Sequence, residues 1–425
     1  MINMLLKKRR PRDLLLAFEL LAIFLLFLLN NNHIDKYIII LFLGLILILY
    51  ISNFVLGRVS SGDNYIFLIV SMLLTIGIIT IYRLNPAMGL KQLLWSLIGI
   101  LVFYLTYFAV RAIRKLEYLT LLYFLGCVVF FIVTLTFASV NKGSKNWISL
   151  TKNDSVTIQL SEFTKILLMF LIASYYTIFQ KRLEKQNIKY SSYILMGIMY
   201  LFVFFLFLQT DLGTAAVFMA IYTGLQFIYD KDRFSILVNF GLMIVGGIIG
   251  YFMFAHVRTR VDIWLHPWAE RNMFGYGQQI VQSLFAIGEG GFFGSGIGLG
   301  YPREISYVET DVIFSAICEE MGIFTGIGII MLFMLLTYRA IKIALNQEYT
   351  FYRILAVAIA ILICIQCFLN IGGVIKLIPM TGITLPFVSY GGSSMVSSFM
   401  ALGILQVTSE DMSYKYERSR NYENK

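Results

Sequence analysis

Charge is scarce in this chain. Of its 425 residues only 14% are Asp, Glu, Lys or Arg, whereas 59% are hydrophobic, and the mean hydropathy is +0.78. An ordinary soluble domain is about half apolar and about one quarter charged, so both a water-soluble globular protein and a disordered one are excluded. Histidine is rare, with three residues, and the four cysteines (Cys127, Cys318, Cys364 and Cys367) are scattered. Their spacing offers neither a zinc site nor a disulfide framework. No Ser/Pro-rich linker, low-complexity stretch or short-period repeat marks off a soluble domain. The 34 Lys and Arg against 24 Asp and Glu give +10, a balance that in a soluble protein would point to nucleic acid. In so apolar a chain it is read loop by loop, and no nucleic-acid partner is expected.

What is present in quantity is apolar runs of about 17 to 25 residues, long enough to cross ~30 Å of hydrocarbon as helix. Twelve can be marked off: 13–30, 37–57, 65–82, 92–111, 117–138, 163–179, 192–209, 214–229, 235–256, 311–338, 351–373 and 382–407. Lys7, Lys8, Arg9, Arg10 and Arg12 precede the first run as they would a signal peptide. That run is long and a second follows at once, so a cleaved leader is not expected. Most of the Lys and Arg fall in loops on the N-terminal side, which predicts that both termini are cytoplasmic. The fold class expected is therefore an all-α, polytopic integral membrane protein of about 12 transmembrane helices in the cytoplasmic membrane. Four informative loops then lie outside, at about 139–162, 209–214, 257–310 and 374–386. The 257–310 loop is by far the longest, and long ordered loops usually carry function.

Polar groups near span ends are the next signal, because a charge at the membrane centre costs about 2.5 to 3.5 kcal/mol. Glu162 and Lys165, at i and i+3 of a helix start, can simply pair with each other, and that does not exclude a functional role. Asp211 and Asp311 sit where helix N-termini favour a carboxylate whatever its use. Glu319 and Glu320 make a further acidic pair. The glycines between Gly288 and Gly300 show no phosphate-loop pattern with a following Lys, so they read as turn and packing residues. Gly391 and Gly392, inside the last run, read as close helix packing.

These segments together resemble a known family, the shape, elongation, division and sporulation (SEDS) proteins of the RodA/FtsW type. Gly143-Ser144-Lys145-Asn146-Trp147-Ile148 is similar to the family's glycine, basic residue, Trp-Ile stretch, and Ser161 to Lys165 to its Ser-Glu-x-x-Lys. Gln209 to Thr214 resembles Gln-Pro-Asp-Leu-Gly-Thr, with Thr210 in place of the proline. Gln282-Ser283-Leu284, Thr310 to Phe314, Glu319 to Gly322, Thr381 to Phe387 and Ser389 to Ser394 follow in family order. The resemblance covers roughly 65–407 and implies a ten-helix core. Residues 1–62 would then be two added N-terminal helices, 63–410 the core with its 257–310 loop, and 411–425 a cytoplasmic tail.

The resemblance implies a peptidoglycan glycosyltransferase that polymerises lipid II into glycan strands at the outer face, working with a class B penicillin-binding protein (a transpeptidase). Such a reaction needs a base for the acceptor hydroxyl and cations for the departing pyrophosphate. The family carries an essential aspartate in the long outer loop. Aligning on Pro267 puts Glu270 there, whereas counting back from Gln282 moves the position toward Asn272. Glu270 is thus the candidate catalytic residue, about 1.5 Å longer in reach than an aspartate. Two other readings stay open: that Asp262 or another group serves, or that polymerase activity is lost and Glu270 is a solvated loop charge. His266 is a weaker candidate base.

Candidate substrate-binding residues are Lys145, Glu162, Lys165, Asp211, Arg260, Gln282, Ser283, Asp311 and Glu320. Among the outer cations Lys145, Lys165, Arg258, Arg260, Arg271 and Arg303, the first two and Arg260 lead for pyrophosphate, while others can anchor the chain at lipid headgroups. A divalent cation is a candidate cofactor, since one commonly accompanies pyrophosphate chemistry, but no ligand cluster identifies it. Two other function classes compete: a flippase for a lipid-linked precursor, and a catalytically silent scaffold for a transpeptidase.

Overall fold

The computed structural model describes residues 13, 15–21, 36–113, 115–141, 144–149, 157–186 and 190–410. The expected first span, 13–30, lies mostly outside them, with 15–21 helical. The remaining expected spans are present as helices. They are α1 (Lys36–Val59), α2 (Tyr65–Leu84), α3 (Pro86–Ala112), α4 (Thr120–Phe137), α5 (Leu160–Lys185, with a π-helical turn at Tyr175–Phe179), α6 (Ser191–Leu208), α7 (Leu212–Tyr229) and α8 (Arg233–Met253). The long outer segment adds α9 (Ala255–Leu265), α10 (Glu270–Met273) and α11 (Gln278–Gly290), before α12 (Ile313–Asn346), α13 (Thr350–Val374) and α14 (Gly392–Thr408). Nine of the described helices are long and apolar enough to cross a membrane. The polytopic helical membrane architecture expected from hydropathy is the architecture observed.

Local chemistry sets the turns between spans. Asn85 caps α3 by accepting from the Met88 N–H at 3.2 Å, and Pro86 follows at the first helical position, where its missing N–H costs nothing. The helices pack through small residues. A Cβ at Gly99 of α3 would meet the Phe399 ring of α14 at 2.2 Å, so only glycine permits this crossing.

Three features depart from the sequence expectation. A small antiparallel sheet, β1 (Ser139–Asn141), β2 (Ser144–Ser149) and β3 (Thr157–Gln159), fills the 139–162 loop. Its strands are too short to register as a hydropathy signal. Helix α12 is broken at Gly322, whose φ of 81° is a left-handed value that side chains resist. The last span begins at Gly392, not 382. Residues 375–391 form an irregular loop, with 385–389 buried among the helices.

Irregular backbone buried among helices is tolerated only where protein satisfies its polar groups. Here Gln92 Nε2 donates to the Ser389 carbonyl (3.0 Å), Asn370 Nδ2 to Asp311 and Ile383 carbonyls (2.9 and 2.8 Å), and Ser389 Oγ to the Thr310 carbonyl (2.6 Å). A Cβ at Gly77 would stand 2.5 Å from the Val388 carbonyl oxygen, so α2 approaches the loop with no room for a side chain. Gly391 caps the helix and Gly392 is its first residue, packed so closely that a Cβ on it would enter the Trp95 ring of α3.

At the opposite end of the bundle, buried Glu410 just after α14 accepts from Ser60 Oγ (2.7 Å) and from the Tyr107 hydroxyl, with Arg111 Nε 3.5 Å away. Gln406 Nε2 reaches the same Ser60 hydroxyl at 2.8 Å. The end of α1 is thereby fastened to α3 and α14.

Candidate functional site

The N-termini of α5, α7 and α14 meet at one end of the bundle around a cavity of about 370 Å³, closed by α9 and by the 310–311 and 381–391 loops. Each helix directs the positive end of its dipole toward this space, an arrangement suited to anions.

Asp211 is the organising group. As N-cap of α7 it accepts from the Thr214 N–H at 3.1 Å and from Thr214 Oγ1 at 2.9 Å. The same carboxylate accepts from Asn146 Nδ2 of β2 (2.8 Å), Gln159 Nε2 of β3 (3.3 Å) and Ser161 Oγ of α5 (3.4 Å). A carboxylate so supplied with donors ties β2, β3 and α5 to the start of α7 in one register. The chain reaches it through Thr210 at φ 56°. Proline, whose ring locks φ near −65°, cannot take that conformation. The departure from the Gln-Pro-Asp pattern therefore matches the backbone observed.

Lys165 and Glu162, nearly buried, pair at 2.8 Å, and Ser397 Oγ of α14 donates to the same Glu162 oxygen at 2.8 Å. Arg260 of α9 donates to the Thr381 carbonyl at 2.9 Å. Arg260 has an open surface yet is surrounded by cavity walls. That enclosure lowers its pKa, while the negative charges of Asp311 and Asp211 oppose the shift. The guanidinium remains charged at any neutral pH. One turn earlier on the same helix, His256 also lines the cavity, its ring 5.5 Å from that of Phe254. Enclosure pushes the imidazole below its ordinary pKa, and the nearby Arg260 charge adds to the effect. Trp95 and Trp147 complete the wall.

Residues 64–414 match the model of the cell cycle protein family of FtsW, RodA and SpoVE. The chain belongs to this family. It is 32% identical over 369 residues to the peptidoglycan glycosyltransferase RodA of Mycobacterium tuberculosis H37Rv, covering 81% of this chain and 77% of that one. It is 33% identical over 368 residues to stage V sporulation protein E of Bacillus subtilis strain 168, covering 81% and 96%. Among solved structures, a chain from a peptidoglycan synthase complex that coordinates polymerization and crosslinking superposes with a TM-score of 0.68 at 22% identity, covering 84% of this chain and 99% of that one. The Thermus thermophilus rod shape determining protein RodA gives 0.62 at 21% identity, with the same coverage. These likenesses show a shared fold.

Of the residues that the family resemblance singles out, the cavity gathers Glu162, Lys165, Asp211, Arg260 and Asp311. Lys145 belongs to β2, and its side chain lies outside the described residues. Four others are not brought to the cavity. Glu270 opens α10 with its side chain exposed and does not line the wall. Its neighbours are committed to the turn instead. Asp262 binds Arg271 at 2.7 Å and Asn272 Nδ2 at 3.0 Å. The Asn272 hydrogen bond is the leading reason that the Asp262 carboxyl lies below the usual range.

Gln282 and Ser283 sit on α11, where the buried Ser283 hydroxyl donates to the Gln279 carbonyl at 2.7 Å. Glu320 accepts from the Gly298 N–H at 3.1 Å and pairs with Arg83 at 3.3 Å. It thus holds the glycine-rich run against the break at Gly322. A Cβ at Gly294 would meet the Glu320 carbonyl oxygen at 2.3 Å, so the run is a packing surface. Sequence reasoning passed over Trp95 and His256. The signal for His256 was its four-residue spacing before Arg260, which puts both on one helix face.

Proposed function

We propose that this chain is a peptidoglycan glycosyltransferase that polymerises lipid II into glycan strands, and that the cavity between α5, α7, α9 and α14 is where it does so. The observation that carries this reading is the convergence of three helix N-termini with Arg260 at the ends of membrane spans. It offers an anion site at the boundary where a lipid-linked pyrophosphate would present its headgroup. The names carried by the RodA relatives support it.

In the reaction an acceptor sugar hydroxyl attacks the anomeric carbon of the donor, the new glycosidic bond forms, and the bond to pyrophosphate breaks. Arg260 and the helix N-termini offset charge on the leaving oxygens as it develops. Asp211 holds β2, β3 and α7 in place around the reacting sugars, and Glu162 keeps Lys165 fixed.

The residues present do not fit a resident divalent cation. Among the described residues no three His, Cys, Asp or Glu side chains converge, and the Asp211 oxygens are already taken by N–H and O–H donors. Whether a cation travels with the pyrophosphate is read by adding a chelator to the assay below.

The basic loops support a cytoplasmic placement of both termini, with the cavity on the outer face of the cytoplasmic membrane. The fold shared with a chain of a peptidoglycan synthase complex supports a class B penicillin-binding protein as partner. We read residues 1–62 as an addition to the family core. Purified protein in detergent with fluorescent lipid II tests the reading: glycan ladders are expected. In liposomes, transbilayer movement of lipid II without any polymer overturns it in favour of a flippase, and neither activity leaves the scaffold reading.

A further inference from the structure

We propose that His256, which lines the cavity where Glu270 does not, is the proton acceptor for the glycosyl transfer. The inference rests on the polymerase reading above.

Two carboxylates of the cavity wall already hold other side chains. Asp211 holds five donor contacts from four residues. Glu162 holds Lys165 and Ser397. Those contacts commit the two carboxylates to positioning the elements around the cavity. Asp311 faces the same space. His256 is different: it lines the cavity and makes no hydrogen bond among the described residues. The charged and titratable groups lining the same space are Arg260 on its own helix, Asp211 of α7, Glu162 and Lys165 of α5, Asp311, and Tyr390 of the loop before α14. Burial and Arg260 together keep the imidazole neutral at pH 7. A ring nitrogen is therefore open to receive a proton.

The step balances without any further reagent. The acceptor oxygen forms the glycosidic bond to the anomeric carbon as the carbon–oxygen bond to pyrophosphate breaks, its electron pair going to the leaving oxygen. The hydroxyl proton passes to the imidazole nitrogen and from there to pyrophosphate or water. Arg260 opposes protonation of the empty site. Once Arg260 binds the pyrophosphate its charge is offset, so the imidazole gains basicity when substrate is in place.

The test uses full-length protein in detergent with fluorescent lipid II, comparing wild type, His256→Asn, His256→Ala and Glu270→Gln. Chain growth by the His256 variants is expected to fall by about 10² to 10⁴-fold, the usual worth of a positioned general base, with lipid II binding and thermal unfolding unchanged. Wild-type kcat/KM should decline as pH falls below the ordinary imidazole range, because the base must be unprotonated. That limb should vanish from the residual rate of His256→Asn, and added imidazole should partly restore His256→Ala. A His256→Asn protein that grows chains at the wild-type rate with the same acid limb overturns the assignment, as does a Glu270→Gln protein that alone reproduces the loss. If wild type grows no chains at all, the polymerase reading falls and this inference falls with it.

Discussion

The turn that carries Asp211 and the turn that carries Glu270 both lead into a helix, yet they are built in opposite ways. At 209–214 the backbone passes through a left-handed threonine, and the carboxylate is held by side chains from β2, β3 and α5. At 266–274 the backbone closes on itself. Asp262 and Asn272 hydrogen-bond across a few residues, and Glu270 faces outward. Long-range partners cost chain entropy and are justified where geometry must be fixed. Local partners suffice where a loop only needs a shape.

The sharpest way to break this contrast is at the first turn. Thr210→Pro forces φ to about −65° where the structure has a left-handed value, so loss of chain growth and a several-degree drop in Tm are expected by thermal unfolding. Asp211→Ala leaves buried donors unpaired at about 1–3 kcal/mol each. Polymerisation should fall by at least about 10²-fold, since misplacement of ~1 Å has that effect, and gel analysis of glycan ladders checks it. Arg260→Ala should lower kcat by about 10²-fold, the scale for losing one group that stabilises developing charge. Arg260→Lys should recover only part, because the bidentate fork is gone.

At the second turn the effects should be small. Glu270→Gln, an exposed change, is expected within about 0.5 kcal/mol in stability and near wild type in rate. The Asp262 carboxyl lies below its ordinary range, so its contribution to the turn is present at neutral pH and lost only as pH falls through that lowered value. Hydrogen exchange of 262–274 on stepwise acidification from pH 7 should show the turn loosening only below the ordinary aspartate range.

How legible this was in the sequence depended on which physics applied. The spans could be read because hydrocarbon demands long apolar helices and nothing else supplies them. Glu162, Lys165 and Asp211 could be read because polar groups at span ends are expensive and therefore stand out. The buried loop at 385–389 could not, since Leu385-Pro386-Phe387-Val388 is as apolar as a helix and is buried for the same reason. The break at Gly322 depends on a tertiary contact with the Gly294 segment that no local pattern reveals. His256 lines the cavity and Glu270 does not, because helix phase and turn direction, not residue type, decide which side chain meets it.

The knot at Glu410 changes what a shortened protein would be. Deleting the segment that ends at Ser60 removes one hydrogen-bond donor from a carboxylate that is almost fully enclosed, and takes from Gln406 its partner on the same hydroxyl. The segment Lys36–Ser60 is therefore a structural strut for the final helix, whose opposite tip carries Ser393 and Ser394 to the cavity wall. Trimming one end of the chain should loosen the other.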